Sequence, residues 1–339
     1  MADKISFYGL SGSGKSCYIF AMSQALSQGI PFNDGELLTV ITPQPRQMLR
    51  LYKAYDKMVN GHWPEGNVES VNYNFNVRKA LDLLMTLDIT DFRGGLLDST
   101  DEDDEEEQKM LFDSYNDSSV LLFFIGADRT KAAMSGDFDA RFNIQFFNSL
   151  YERYLDNAET NKKTPVMVVL TKSDMLTETE KKSAIAFLKD QMRVLFGVGT
   201  GITAGITAVT LGSNLSNEGG ELEGQLNIKP TAGNLNIPIL FSLFHVMAKK
   251  IEATIGAIDV SESDLSSSQK ALSHELSRNA FSRFFVNNES TIRNKINSNK
   301  SLIEQNKKDL LRLNNTMTGI KEYLLNGAEL FINGKRIIQ

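Results

Sequence analysis

Eight residues near the start of the chain, Gly9-Leu10-Ser11-Gly12-Ser13-Gly14-Lys15-Ser16, have the types and spacing of a G-x-x-x-x-G-K-[ST] loop. The chemistry is phosphate binding. Gly12 and Gly14 lack a Cβ, so the backbone from Gly9 through Ser11 and Ser13 can curl and point successive N–H groups at phosphate oxygens. Lys15 has the reach and charge to meet the β- and γ-phosphates, and the Ser16 hydroxyl suits Mg²⁺. A helix beginning near Lys15 would turn its positive end toward the same anion. Cys17 adjoins the metal-ligand position and is counted with the binding set, as a small residue in the first helical turn. The loop follows the apolar run Ile5-Ser6-Phe7-Tyr8 and precedes a helical pattern, which is the strand–loop–helix setting the motif needs.

A phosphate loop does not choose between ATP and GTP. Thr171-Lys172-Ser173-Asp174, after the apolar run at 166–170, resembles the [N/T]-K-x-D motif of the GTPases. A carboxylate there accepts two hydrogen bonds from guanine N1–H and its 2-amino group, and adenine offers no such pair. The resemblance implies that Asp174 reads the base, that the Lys172 stem packs along it, and that Thr171 steadies the loops. Asp91-Phe92-Arg93-Gly94-Gly95 resembles a second GTPase motif, D-x-x-G. It implies that Asp91 holds Mg²⁺ through water and that the Gly94 amide meets the γ-phosphate. Lys15, Asp91 and Gly94 are thus the expected catalytic set, and Ser16 with Asp91 the expected metal set. Asp88, three residues earlier, is a rival metal candidate. The motif that offers backbone amides to guanine O6 is expected near Leu211-Gly212-Ser213.

The segment Gly61-His62-Trp63-Pro64-Glu65-Gly66-Asn67 is similar to a Trp-Pro-x-Gly-Thr element of TRAFAC-class GTPases, in bacterial families related to the double-GTPase type. Those families accompany conflict (antiviral defence) systems. The start of a helix at Asn236-Ile237-Pro238 is similar to the same group. The resemblance covers roughly residues 1–255 and implies a P-loop GTPase-like α/β fold, GTP or GDP with Mg²⁺ as ligands, and hydrolysis of GTP. Two positions depart from it. Asn67 stands where the group often has threonine, leaving Ser70 as the nearest hydroxyl, and Gly95 stands where many GTPases carry a water-orienting glutamine. Hydrolysis is therefore expected to be slow or partner-stimulated. An assembly module with little turnover, or an ATP-binding P-loop protein, remains an alternative.

These residues need a scaffold. Apolar runs alternate with helical patterns to about residue 255, as in a mostly parallel sheet covered by helices on both faces. Strands are expected at 5–8, 37–41, 71–77, 83–89, 120–125, 166–170 and 206–210. Helices are expected at 15–27, 45–59, 140–157, 178–196 and 239–254. After a Ser/Asp/Glu-rich link at 259–268 the texture changes to heptads. Ile296, Ile303, Leu310, Met317 and Leu324 form one row, and Ile292, Asn299, Asn306, Leu313 and Ile320 the other. This describes an intermolecular or antiparallel coiled coil, or a long helix folded back on the first domain. Asn333-Gly334 predicts a terminal β-hairpin. The expected domains are 1–257, GTPase-like, and 258–339, a helical extension.

The 339 residues include one cysteine, which excludes an internal disulfide and fits a reducing, cytoplasmic setting. No apolar run is long enough to span a bilayer. The net charge of −6 is local, since Asp98, Asp101, Glu102, Asp103, Asp104, Glu105, Glu106 and Glu107 carry eight negative charges in ten residues. The remainder is near neutral, which argues against nucleic-acid binding. Protein partners are expected at the heptad helix and at the acidic run 98–107, with an oligomer or hetero-complex as the result.

Overall fold

The computed structural model describes residues 3–64, 70–93, 113, 117–157, 163–216, 223–277 and 289–337. Asn67, Gly94, Gly95 and the acidic run 98–107 lie outside the described residues, as does the side chain of Ile292. The chain divides into two compact units. One comprises residues 1–245 with 321–339, the other residues 246–320.

The first unit is built on β1 (Asp3–Tyr8), β2 (Ile30–Pro31), β3 (Leu37–Ile41), β4 (Val71–Lys79), β5 (Asp82–Asp91), β6 (Val120–Gly126), β7 (Val166–Thr171) and β8 (Thr203–Ala208). β9 (Gly212–Ser216) and β10 (Glu223–Leu226) pair separately, and β11 (Glu329–Ile332) and β12 (Lys335–Arg336) close the chain. The main sheet runs β12-β11-β8-β7-β6-β1-β5-β4-β3-β2. β5, β1, β6, β7 and β8 are mutually parallel, while β4, β3 and β2 on one side and β11 and β12 on the other are antiparallel. The expected mostly parallel α/β fold is what the chain adopts.

The helices of this unit are α1 (Lys15–Ser27), α2 (Pro45–Val59), α3 (Ala127–Met134), α4 (Phe138–Asn157), α5 (Glu178–Gln191) and α6 (Arg193–Phe196). α7 (Ile237–Ser277) and α8 (Glu289–Gly327) pass through both units. β6 shows why the sheet is covered twice. All seven of its residues are buried, because alternate side chains point to opposite faces and each face has its own partners. Phe124 meets Phe7 of β1 and Tyr18 of α1, with ring centroids 5.0 and 5.2 Å away. Phe123 instead joins Tyr8, Ile144, Phe147 and Leu188 in the cluster beneath α4 and α5. Burying each such ring stabilises the unit by about 1.5–3 kcal/mol.

Local signals set the element ends. Thr177 and Glu180 form a reciprocal capping box at the start of α5. The helix expected at 178–196 is broken at Met192, whose φ −110° and ψ 52° end α5 before the short α6. The strand expected at 206–210 lies at Thr203–Ala208 instead, because pairing with β7 and β11 fixes its register. Asn333 and Gly334 both have positive φ, 53° and 72°, as a type I′ hairpin turn requires.

Two expectations are corrected. The Ser/Asp/Glu-rich link at 259–268 is helical, inside α7. Ile258, Ser261 and Ser268 are buried there at helical spacing, so tertiary packing overrides a polar composition. The terminal hairpin, expected within the helical extension, belongs to the first unit: β11 pairs antiparallel with β8, and Thr207 Oγ1 donates to Gly327 O at 2.7 Å.

In the second unit, two helical stretches join through Lys307 Nζ–Glu262 Oε1 at 2.9 Å. Ile296, Ile303, Leu313, Thr316 and Ile320 are buried, whereas Leu310 and Met317 are half-buried. The Asn299 amide nitrogen is buried with no hydrogen-bond partner among the described residues. Among the described residues no helix is long and apolar enough to cross a membrane.

Candidate nucleotide-binding site

The site lies at the C-terminal ends of the parallel strands, where loops leave β1, β5, β6 and β7. Gly14 caps α1 with φ 82° and Gly12 has φ 74°, left-handed values at which a side chain would be strained. Gly9 is needed for space. A Cβ there would lie 2.5 Å from Ser13 Oγ and 2.7 Å from the Phe124 carbonyl oxygen. We expect Gly9→Ala to lower stability by about 1–3 kcal/mol, since the backbone oxygen cannot rotate away. Thermal unfolding without nucleotide measures this, and an unchanged midpoint would contradict the close approach.

Lys15 is buried, and its ammonium donates to the Gly9 carbonyl at 2.6 Å. Desolvation pushes its pKa down, and the Asp91 charge pulls it back up. The Ser16 hydroxyl donates to Asp91 Oδ2 at 2.9 Å, and Asp91 is fully buried at the end of β5. Asp88 accepts instead from the Asn74 amide across β4 and β5. Ser70 Oγ accepts the Arg93 N–H at 3.2 Å, tying the chain before β4 to the chain after β5. Cys17 is free, and burial pushes its thiol up to about 12, so it stays protonated.

The Thr171 hydroxyl lies 2.6 Å from the Ser13 carbonyl and 3.3 Å from that of Ile125, linking the turn after β7 to the phosphate loop. Lys172 sits in left-handed backbone geometry, φ 54°, and its ammonium donates to Asp128 Oδ2 at 2.6 Å. Asp174 lies in a 3-10 turn, Ser173–Met175. Its Oδ1 is 3.0 Å from the Thr210 hydroxyl, and its Oδ2 accepts the Leu215 N–H at 3.0 Å. A carboxylate has about four lone-pair sites, so two remain for a ligand. Gly212 begins β9, with its N–H 3.1 Å from Thr210 Oγ1, and the Leu211 carbonyl accepts from Asn227.

A cavity of about 210 Å³ beside the loop is lined by Ser11, Gly12, Ser13, Asp128, Arg129 and Lys172, among others. Ser13 Oγ is buried there without a hydrogen-bond partner among the described residues. The arrangement gathers N–H donors, the ammonium groups of Lys15 and Lys172, a hydroxyl–carboxylate pair of hard oxygens and a further carboxylate, Asp174, after β7, two strands from β1 in the sheet. Asp128, Thr210 and Leu215 were missed by sequence reasoning. Thr210 stands next to the expected Leu211-Gly212 motif, and Asp128 follows an apolar strand by two residues. The Leu215 contact has no sequence signal, because it is a backbone N–H placed by β9.

No protein-family profile matches this sequence, and no curated protein matches it either. Among solved structures, the chain is similar to a bacterial selenocysteine-specific elongation factor, with 14% identity, 62% of this chain covered and a TM-score of 0.33. The GTPase-like domain of S. cerevisiae Ski7, bound to GTP, matches at 13% identity over 73% of this chain and 50% of its own, TM-score 0.38. A member of an oligomerised bacterial dynamin pair matches at 12% identity over 96% of this chain and 62% of its own, TM-score 0.38. The chain spans only 26% of the elongation factor's length, and 30% of that of the elongation factor SelB from Methanococcus maripaludis. At this level of similarity none of these likenesses bears on what the present chain binds.

Proposed function

We propose that the chain is a Mg²⁺-dependent GTP-binding switch of the cytoplasm. In this reading its GTP hydrolysis is slow or partner-stimulated, and its helical unit and acidic run engage protein partners. One observation carries the reading: Ser16–Asp91 and Thr171–Ser13 tie the ends of two separate strands, β5 and β7, to one phosphate loop, and the Asp174 turn follows β7 directly. The unpartnered Ser13 hydroxyl and the open cavity beside it add room and polarity for a ligand. The resemblance of the Trp63-Pro64 segment adds a bacterial antiviral defence setting to the proposal.

The donor set fits magnesium, because Ser16 Oγ and Asp91 Oδ2 are hard oxygens already adjacent at the end of the phosphate loop. The ion, when bound, would neutralise charge on the β- and γ-phosphate oxygens. Lys15 would leave Gly9 O for the same oxygens, and the loop N–H groups would hold them in line. Asp174 would read the base with the Lys172 stem along it and Thr171 steadying the loops, while Thr210 and Leu215 orient the Asp174 carboxylate. Gly95 offers no side chain to orient water, which favours slow turnover and, as a second reading, a nucleotide-bound assembly module.

Phosphate release from GTP and from ATP, followed over a range of protein concentrations, tests this. The expected result is release from GTP alone, on the order of 10⁻³ s⁻¹ or slower at low concentration. Faster release from ATP would refute the proposal. Tight GTP binding without release would select the assembly module.

A further inference from the structure

α2 lies outside the nucleotide-binding site and has a two-sided exterior that the proposed function does not use. At 100° per residue, its inward face is Gln47, Leu51, Ala54 and Met58. Leu51 and Met58 are buried, and the Gln47 amide bonds the backbone N–H and C=O of Asn74, capping the part of β4 that extends beyond β3. The rest of the helix is exposed, apart from a half-buried Tyr55. Met48, Tyr52, Tyr55 and Val59 recur at i, i+4, i+7 and i+11. Met48, Tyr52 and Val59 are 53%, 55% and 47% exposed, and Leu49 beside them is 52% exposed. A polar helix exterior of this length does not ordinarily leave four large apolar side chains in water together.

The remaining sector repeats the same spacing with cations: Arg46, Arg50, Lys53 and Lys57, all exposed. None of the four forms an ion pair among the described residues. The helix holds a single carboxylate, Asp56, so it is locally cationic in a chain whose net charge is −6.

We propose that the outward face of α2 is a docking surface for an anionic lipid bilayer. The charge argument sets the sign, since a regular row of cations about 16 Å long, without an ion pair among the described residues, matches a continuous negative surface. Shape sets the kind of partner. The apolar sector is a convex ridge rather than a pocket, so a rigid protein would need a groove to cover it, whereas a headgroup layer deforms around it. The 100° step puts the apolar row and the cation row on the two flanks of the outward side, about 160° apart with Leu49 between them, so a headgroup layer lying over that side meets Tyr52 on one flank and the long Lys53 and Arg46 stems on the other. Attachment is peripheral, with α2 lying along the surface and still packed on its own domain.

The full-length protein would be mixed with vesicles of phosphatidylcholine alone, and with vesicles that also contain phosphatidylserine, then sedimented. Retention is expected only with phosphatidylserine, and it should fall as salt rises. The double variant Arg50→Gln/Lys53→Gln should bind about 30-fold more weakly, from two surface charges at about fivefold each. Tyr52→Ser should release the protein at a salt concentration that wild type withstands. All three residues are exposed, and an unchanged unfolding midpoint verifies that the variants remain folded. The proposal is overturned by no retention on phosphatidylserine vesicles, or by retention that neither variant reduces. Capture by polyglutamate without capture by phosphatidylserine vesicles would also overturn it, pointing to an acidic protein instead. None of these results depends on nucleotide binding.

Discussion

Replacing Lys15 with alanine is expected to weaken GTP binding by about 1000-fold or more. The size follows from what the ammonium would do. It is held in a buried position where desolvation disfavours its charge, and its hydrogen bond to Gly9 O is to a neutral carbonyl. A phosphate oxygen in place of that carbonyl gives charge-assisted hydrogen bonds in a site screened from water, each about 1.5–3 kcal/mol. Titration with a fluorescent GTP analogue measures the loss. Lys15→Arg separates charge from fit, because the larger planar group would have to enter the space beside Gly9 and should restore little. Binding that survives Lys15→Ala within a few-fold would mean that the phosphates lie elsewhere.

Asp174→Asn is expected to cost about 100-fold or more in preference for GTP over ATP. Two donors on the guanine edge would lose an acceptor and face an amide N–H₂. The same substitution also disturbs the turn, since Asp174 receives the Leu215 N–H and neighbours the Thr210 hydroxyl. A gain therefore discriminates better than a loss. Xanthosine triphosphate carries a carbonyl where guanine carries its amino group, so the asparagine amide should bind it better than the wild type does. Mere loosening of β9 cannot produce that gain. If GTP/ATP discrimination is unchanged and xanthosine triphosphate gains nothing, Asp174 does not read the base.

Much of the first unit was legible because its signals are local. α1 at Lys15–Ser27 and α2 at Pro45–Val59 fall where periodicity and the loop glycines put them, and β3 at Leu37–Ile41 likewise. The central strands were readable as continuous apolar runs, because burial on both faces removes the alternation that water imposes. The end of β8 was less legible. Thr203–Ala208 and the residues after it have similar β propensity, and only pairing with β7 and β11 chooses the register. The polar stretch inside α7 is hard to read for a related reason, since the burial of Ser261 and Ser268 arises only in the folded chain.

By itself the sequence determined the phosphate loop. Its glycines, lysine and serine act through backbone conformation and reach over a few consecutive residues, and such geometry is written in residue type. Tertiary structure decided which carboxylates meet that loop and what holds them. Asp91 rather than Asp88 reaches Ser16, because β5 runs parallel to β1 in one register, with Phe7 opposite Asp91. Asp128 meets Lys172, and Thr210 and Leu215 meet Asp174, only because β6, β7 and β8 end side by side. The terminal hairpin joins the sheet for the same reason: β8 presents unpaired backbone groups, and hydrogen-bonding edges are satisfied by whichever segment the fold brings to them.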